Sequence, residues 1–523
     1  MVRMHHTLPM VVATVQLLPA LWITVSCARI LGITTLPFFS HQIVYQPIWK
    51  ELSLRGHQVT LVTTHPMKDN GLTNITEIDI GEIILSVLGE ASLSQDTAKD
   101  GSHYSILRKL FENHYIIADA VFSDRRFIEV YNSSYVRFDV VVAESNISPI
   151  MYAVAAKFKV PLVGVYSFGV WMGLNHAIGN PHPLSLYPEI WSGSDGRMKF
   201  FERIRNTLYY IWTRYYLNFE ALPKCDQIAR KYLGNDIPYI QDIEKNMSLL
   251  LLTTNPILYE PRPNVPTVIS MEQMHIKPVK PLPKDLKQFL DNAKEGVVYF
   301  SLGSNVKSIN IPEKLRKVLI EAFAELPYKV LWKFEADDLP GKPENVLIGK
   351  WIPQQDVLAH PNVKVFVTQC GLQSVEEAVA RGVPMVGMPF IADQTRNIQR
   401  LSEEGAAVGL EHTTLTKEEF KNAIFEVVNN PKYKQNVKRL GEIWVDHPLP
   451  SLNRTIWWIE YVIRHKGTKH LRSPTADVSW FEYLLIDVIL VLLTIVSLAL
   501  FILYVAIKFI LRMIFGGRKL KQN

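Results

Sequence analysis

His41, in Phe39-Ser40-His41-Gln42, follows a short apolar run, Ile30-Leu31-Gly32-Ile33-Thr34-Thr35-Leu36. An imidazole at the end of such a run can take a proton from a hydroxyl. A carboxylate that fixes its tautomer and stabilises the imidazolium would make it a better base. Asp139 and Glu144 bracket the run Val140-Val141-Val142-Ala143 and are the candidates, Glu144 at the end expected to face a cleft. A second group lies much further on, in Thr368-Gln369-Cys370-Gly371-Leu372-Gln373-Ser374-Val375-Glu376-Glu377. Small and polar residues turn the chain after Thr368, and a helix is expected to start near Ser374, a good N-cap. Free N–H groups and the positive end of the helix dipole suit a pyrophosphate. Glu377, one turn in, could accept ribose hydroxyls, and Asp393-Gln394 offer acceptors and donors for sugar hydroxyls.

These groups need strands that end beside one another. Ile30–Leu36, a helix over 44–54 closed by Arg55-Gly56, and the run Val59–Thr63 form a βαβ unit, the start of a parallel sheet. Val140–Ala143 and Pro161–Val165 read as later strands. A proline-rich passage from Pro256 to Pro283 is the expected linker. A second α/β series follows, with strands at Val297–Ser301, Val330–Lys333, Val363–Val367 and Pro384–Met388. The fold class is α/β, with two doubly wound, Rossmann-like domains facing each other across a cleft and ligands at the C-terminal ends of both sheets.

The segment from Phe366 to Gln394 resembles the signature of the UDP-glycosyltransferase family, lipid-conjugating enzymes of the GT-B fold. Thr368, Gly371, Glu377, Pro384, Pro389, Asp393 and Gln394 fall at its spacings. Phe300-Ser301-Leu302-Gly303-Ser304 is similar to the family's phosphate loop. Trp351-Ile352-Pro353-Gln354 is similar to the segment whose Trp stacks on uracil while Gln354 helps hold the nucleotide. Arg262 matches a linker arginine that reaches a phosphate, and 459–467 resembles the last helix before a membrane anchor. The resemblance implies donor contacts at Arg262, Ser301, Gly303, Ser304, Trp351, Gln354, Gln369, Gly371, Gln373, Ser374, Glu377, Asp393 and Gln394. It implies His41 as catalytic base and Glu144, where the family usually has Asp, as its partner acid.

Gln369-Cys370 stands where the family often has His-Gly, in a loop similar to insect-type members. Gln369 keeps an amide donor but carries no charge. The expected reaction is inverting transfer of a hexose, favouring glucose, from a UDP-sugar to a hydroxyl of a small lipophilic acceptor, for detoxification or for hormone or pigment conjugation. The alternative is a UDP-sugar-binding membrane protein without turnover. Segments 81–119 and 169–216 are expected to line the acceptor pocket. Neither cofactor nor metal is expected, since the donor phosphates would be met by backbone, a helix N-terminus and Arg262.

Composition sets the remaining bounds. Of the 523 residues 48% are hydrophobic and 20% charged, which suits a globular chain of two domains. Much of the net +6 sits in Lys508, Arg512, Arg518, Lys519 and Lys521, and the near-neutral remainder excludes a nucleic-acid partner. Residues 1–28 read as a signal peptide, followed by an acceptor domain (29–255), a linker (256–295) and a donor domain (296–450). A helix and juxtamembrane segment (451–479), a transmembrane helix (480–507) and a basic cytosolic tail (508–523) complete the chain. The charge after the span places the body in the lumen, and the Lys-Leu-Lys-Gln-Asn end resembles a dilysine retrieval signal. Type I anchoring in the endoplasmic reticulum membrane, with association into homo-oligomers as in the family, is the expectation. Only Cys27, Cys225 and Cys370 occur, so no disulfide framework is expected.

Overall fold

The computed structural model describes residues 27–89, 102–190, 198–254, 259, 261–391 and 393–516. The expected signal segment, save residues 27 and 28, and the tail beyond 516 lie outside the described residues.

Seven strands form the first sheet: β1 (Arg29–Thr34), β2 (Gln58–Thr63), β3 (Ile75–Asp79), β4 (Val140–Glu144), β5 (Leu162–Tyr166), β6 (Leu249–Leu252) and β7 (Val268–Ser270). Six form the second: β8 (Val297–Ser301), β9 (Lys329–Lys333), β10 (Val346–Gly349), β11 (Val363–Thr368), β12 (Met385–Gly387) and β13 (Ala407–Gly409). Their orders are β3-β2-β1-β4-β5-β6-β7 and β10-β9-β8-β11-β12-β13. Every pairing in both sheets is parallel. Strands buried on both faces read as unbroken apolar runs, which is why Val140–Ala143 and Val297–Phe300 were legible. The order reverses between β1 and β4 and again between β8 and β11, and a crevice opens where strand order reverses in such sheets.

The helices that matter for the site are α1 (Phe39–Leu54), α2 (His103–Ser123), α3 (Phe200–Tyr216), α4 (Leu372–Ala380), α5 (Gln394–Glu403), α6 (Ser451–His465) and α7 (Ile486–Gly516). Helix α1 begins five residues before the expected start, so His41 sits in its first turn instead of a loop. Gln42 locks this early start by donating to the Leu36 carbonyl at 2.9 Å. Gly32 in β1 lets α1 approach, since a Cβ there would stand 2.8 Å from Leu61 and 3.1 Å from the Trp49 ring.

Two boundaries move. Strand β7 pairs with β6 inside the stretch expected to be linker, Val268 opposite Leu250. It is three residues long, flanked by Pro266, and at the sheet edge, where proline is tolerated. The membrane helix begins at Ile486, not 480, because the chain breaks at Leu485 (φ 52°) after a separate helix over Trp480–Tyr483. It then runs beyond residue 507 to Gly516, past Lys508 and Arg512. The most apolar 18-residue stretch of the span Ile486–Phe515 has a mean hydropathy of 3.0 with none of it buried, as fits a membrane anchor. At 1.5 Å per residue it measures roughly 45 Å, longer than a core of about 30 Å, so its basic end can lie in the headgroup region.

After the second domain the chain returns to the first. Ile456, Ile459 and Val462 of α6 are buried with Val44, Ile48, Trp49 and Leu52 of α1 in one apolar cluster over the first sheet. Ile459→Ala should therefore lower stability by about 2–5 kcal/mol, seen as a lower midpoint in thermal unfolding of the detergent-solubilised protein.

Candidate active site

The Glu144 carboxylate, buried at the C-terminal end of β4, is the centre of the first half of the site. Oε2 accepts the backbone N–H groups of Thr35 and Leu36, both at 3.1 Å. Oε1 lies 3.3 Å from His41 Nδ1 and accepts the Tyr45 hydroxyl at 3.4 Å. Two peptide donors aim the carboxylate, and an acceptor oxygen beside the ring selects the His41 tautomer with its proton on Nδ1. Nε2 is then the nitrogen with the lone pair. Phe38 and Phe168 wall the imidazole at ring distances of 5.1 and 4.7 Å. Asp139, at the opposite end of β4, accepts the Arg29 N–H at 2.7 Å and plays no part here.

The second half is built where β8 and β11 end. Ser301 Oγ accepts the Gly303 N–H at 3.2 Å. Gly303 holds φ +78°, and a Cβ there would meet Gln369 Nε2 at 2.2 Å, so the two loops close on each other only through glycine. Gln369 is fixed by the Thr368 hydroxyl, at 3.1 Å. Cys370 is buried at φ 66°, and burial pushes its thiol up, which makes it packing and not a nucleophile. Helix α4 starts at Leu372 with Gly371 as an N-cap that makes no side-chain bond. Ser374, expected to be the cap, lies inside the helix, and its hydroxyl accepts Gln354 Nε2 at 3.1 Å. The α4 N-terminus thus keeps its donors for a ligand.

His41, Gly303, Ser304, Gln369, Gly371, Gln373, Ser374, Asp393 and Gln394 line one cavity of about 400 Å³ between the domains. Gln394 Oε1 accepts the Phe390 and Ile391 N–H groups, at 2.8 and 3.0 Å, and Asp393 accepts Asn397 Nδ2 at 2.7 Å. Burial raises the Asp393 pKa, and His41 nearby opposes that rise. Phe38, Ile106, Leu110, Ile117, Ile147 and Phe168 add apolar wall. Of the segments expected to line the acceptor side, 81–119 does so through α2, whereas 169–216 lines a different cavity beside Tyr259.

Five expected residues, Ser301, Trp351, Gln354, Glu377 and Arg262, stand one layer back or elsewhere. Gln354 Nε2 donates to Glu377 Oε2 at 2.6 Å and its carbonyl accepts the Tyr299 hydroxyl at 3.0 Å, while Ser301 acts through Gly303. Trp351 stays exposed at the rim, edge-on to Phe39 at 5.3 Å, outside the cavity lining. Arg262 is not with the cleft residues: its guanidinium lies 4.3 Å over the Tyr187 ring in the second cavity, with Glu189 nearby. A planar cation above an aromatic face is a stable resting place for a linker arginine.

Sequence reasoning missed His275. It is fully buried beneath α4, with Nε2 3.2 Å from the Gln373 carbonyl and Nδ1 3.6 Å from Glu376 Oε2. Burial lowers its pKa to about 4, so it is a neutral donor that holds the Gln373 backbone. Burial also raises the Glu376 pKa well above its ordinary value, and Glu272 and Glu377 add to this. Gln355, bonded to Glu377 Oε1 at 2.9 Å and to the His275 carbonyl at 2.9 Å, ties the linker to the helix. No local pattern marks these residues, whose partners lie far along the chain.

The family described as "UDP-glucoronosyl and UDP-glucosyl transferase" matches residues 33–521. The chain belongs to this family. It is 33% identical to UDP-glycosyltransferase UGT5 of Dactylopius coccus over 95% of this chain and 96% of that relative. It is 32% identical to UDP-glucuronosyltransferase 2B15 of Homo sapiens over 91% and 92%. Among solved structures, TcCGT1 in complex with UDP superposes with a TM-score of 0.57 at 17% identity, covering 84% of this chain and 100% of that one, which shows the shared GT-B fold. The protein is a UDP-glycosyltransferase.

Glu377 gives this glycosyltransferase a pH signature. Burial raises its pKa from an ordinary value near 4.5 to about 7, against the bonds from Gln354 and Gln355. The folded protein therefore holds a proton that the unfolded chain has released between those values. Its stabilising share is complete below pH 4.5 and is lost as pH rises through about 7. Thermal midpoints of the UDP-free enzyme recorded from pH 5 to 8 should fall less steeply in Glu377→Gln than in the wild type.

Proposed function

We propose that this glycosyltransferase transfers a neutral hexose, with glucose favoured, from its UDP-sugar to a hydroxyl of a small lipophilic acceptor, inverting the anomeric centre. The observation that carries this reading is the His41–Glu144 pair at 3.3 Å, with His41 in the wall of the same cavity as the uncapped N-terminus of α4. His41 Nε2 takes the acceptor proton while Glu144 stabilises the imidazolium. The acceptor oxygen forms its bond to the anomeric carbon as the bond from that carbon to the phosphate oxygen breaks, and the electron pair leaves with UDP. The N–H groups at the start of α4, with Ser304 and Gln369, are the donors suited to that growing charge. No metal is needed in this scheme.

Glucose is favoured on charge. No lysine or arginine lines the cavity among the described residues, and Asp393 sits there, so a C6 carboxylate would meet no fixed cation. A relative 34% identical is named UDP-glucosyltransferase 2, from Dactylopius coccus, which supports the same donor. The apolar wall from α2, Phe38, Ile147 and Phe168 suits a lipophilic acceptor, in keeping with detoxification or with hormone or pigment conjugation. The apolar span of α7, with the basic residues near its end, supports anchoring in the endoplasmic reticulum membrane with the catalytic body lumenal.

Microsomes carrying the protein should convert phenols, flavonoids or steroids to β-glucosides with UDP-glucose and give little product with UDP-glucuronic acid. His41→Ala should abolish conjugation while UDP still binds, and Glu144→Gln should lower turnover by about 10²–10⁴-fold. Tight UDP binding with no conjugate from any acceptor would overturn the reading.

A further inference from the structure

The cavity wall on the acceptor side holds polar groups that the reaction does not use. Ile106, Leu110, Asn113, His114 and Ile117 recur at helical spacing along α2 and present one face to the cavity. Asn113 and His114 break its apolar character, and Asn146, two residues beyond Glu144, lines the same cavity. Asn113 and Asn146 are each only 6% exposed, yet neither side-chain amide bonds to any described residue. His114 adds a third open group. Its Nδ1 donates to the Leu110 carbonyl at 2.7 Å, which leaves the lone pair on Nε2, and that nitrogen has no partner among the described residues. Burial lowers the His114 pKa, against the Leu110 bond and Glu144, and so keeps the ring neutral.

A buried polar group with no protein partner weakens the fold, so two open amides in one wall point to something that enters the cavity. A ligand that fills this wall displaces water from the amides and must replace its bonds or bind weakly. The three groups select its chemistry. An amide both donates and accepts, whereas His114 Nε2 only accepts. The matching group must therefore donate and accept at once, as a hydroxyl does and a ketone does not. Its place is set as well. His114, Glu144 and Asn146 together line a second, smaller pocket, so the cluster adjoins the carboxylate that partners His41.

We propose that Asn113, His114 and Asn146 recognise a second hydroxyl on the acceptor, close to the one that reacts, so that diols are preferred over acceptors with a single hydroxyl. The inference rests on the reading that the acceptor occupies this cavity. Its test is equilibrium binding to the full chain in detergent with saturating UDP, which needs no turnover, so a failure of conjugation would count against that reading and not against this one. Propylcatechol or propylresorcinol should bind about tenfold more tightly than para-propylphenol. In the double variant Asn113→Leu, Asn146→Leu that ratio should fall to about twofold or less, with a thermal midpoint no lower than the wild type's, since two unpartnered amides are gone. Equal binding of the diols and the phenol to the wild type, or a ratio kept by the double variant, would overturn the proposal. So would tighter binding of para-hydroxypropiophenone, whose second polar group is a ketone, than of either diol. Asn146-Ile147-Ser148 is also a glycosylation sequon. Peptide mapping should find it bare, and a glycan there, which would fill this wall, would equally overturn the assignment.

Discussion

A buried carboxylate shared among four donors organises the first half of this enzyme. Glu144 takes the peptide N–H groups of Thr35 and Leu36, the imidazole of His41 and the phenol of Tyr45. A charge taken out of water is tolerated only when its oxygens are met in this way. The same bonds fix where β1 ends and α1 begins, so the base is aimed by the termination of a strand and the start of a helix. The longer side chain, where the family usually has aspartate, reaches both backbone donors and the imidazole, and so preserves the pair.

The second half solves a different problem. Its donors must be left unpaired in the empty protein, and the fold supplies them at little conformational cost. Gly371 ends the turn without a capping side chain, and Ser374 is held by Gln354 instead of bending back on the backbone. His275, kept neutral by burial, supports the Gln373 carbonyl from below. Gln373 in turn donates across the gap to the Ser167 carbonyl at 3.1 Å, one of the contacts that join the domains at the site. Glu376, whose ionised form is penalised by burial, and Glu377, which titrates near neutrality, show how closely this helix is packed.

The strands, the two-sheet plan and the residues that meet in the cavity were legible because they rest on local signals: apolar runs, turn residues after a strand, and a spaced family signature. What escaped was decided by partners distant in sequence. Ser374 has the right chemistry for a cap, but Gln354 claims its hydroxyl. Arg262 lies in a linker and looked free to reach a phosphate, yet Tyr187 offers it an aromatic face. Strand β7 was hidden among prolines because its pairing with β6 comes from the sheet and not from its own composition. His275 was silent, since a lone histidine between methionine and isoleucine carries no pattern of its own. The break at Leu485, after the helix over Trp480–Tyr483, likewise has no marker in an apolar run.

The return of α6 to the first domain means that the polypeptide crosses between the halves twice, and the crossings are stitched side by side. Gln273 Nε2 donates to the Trp444 carbonyl at 2.5 Å, and Glu272 accepts Arg454 at 2.5 Å and Ser451 at 3.2 Å. Two adjacent pivots leave a rotating body one axis, as two hinges do for a door. Any swing of the second domain must follow that arc, while α6 stays with the half carrying His41, on which it packs.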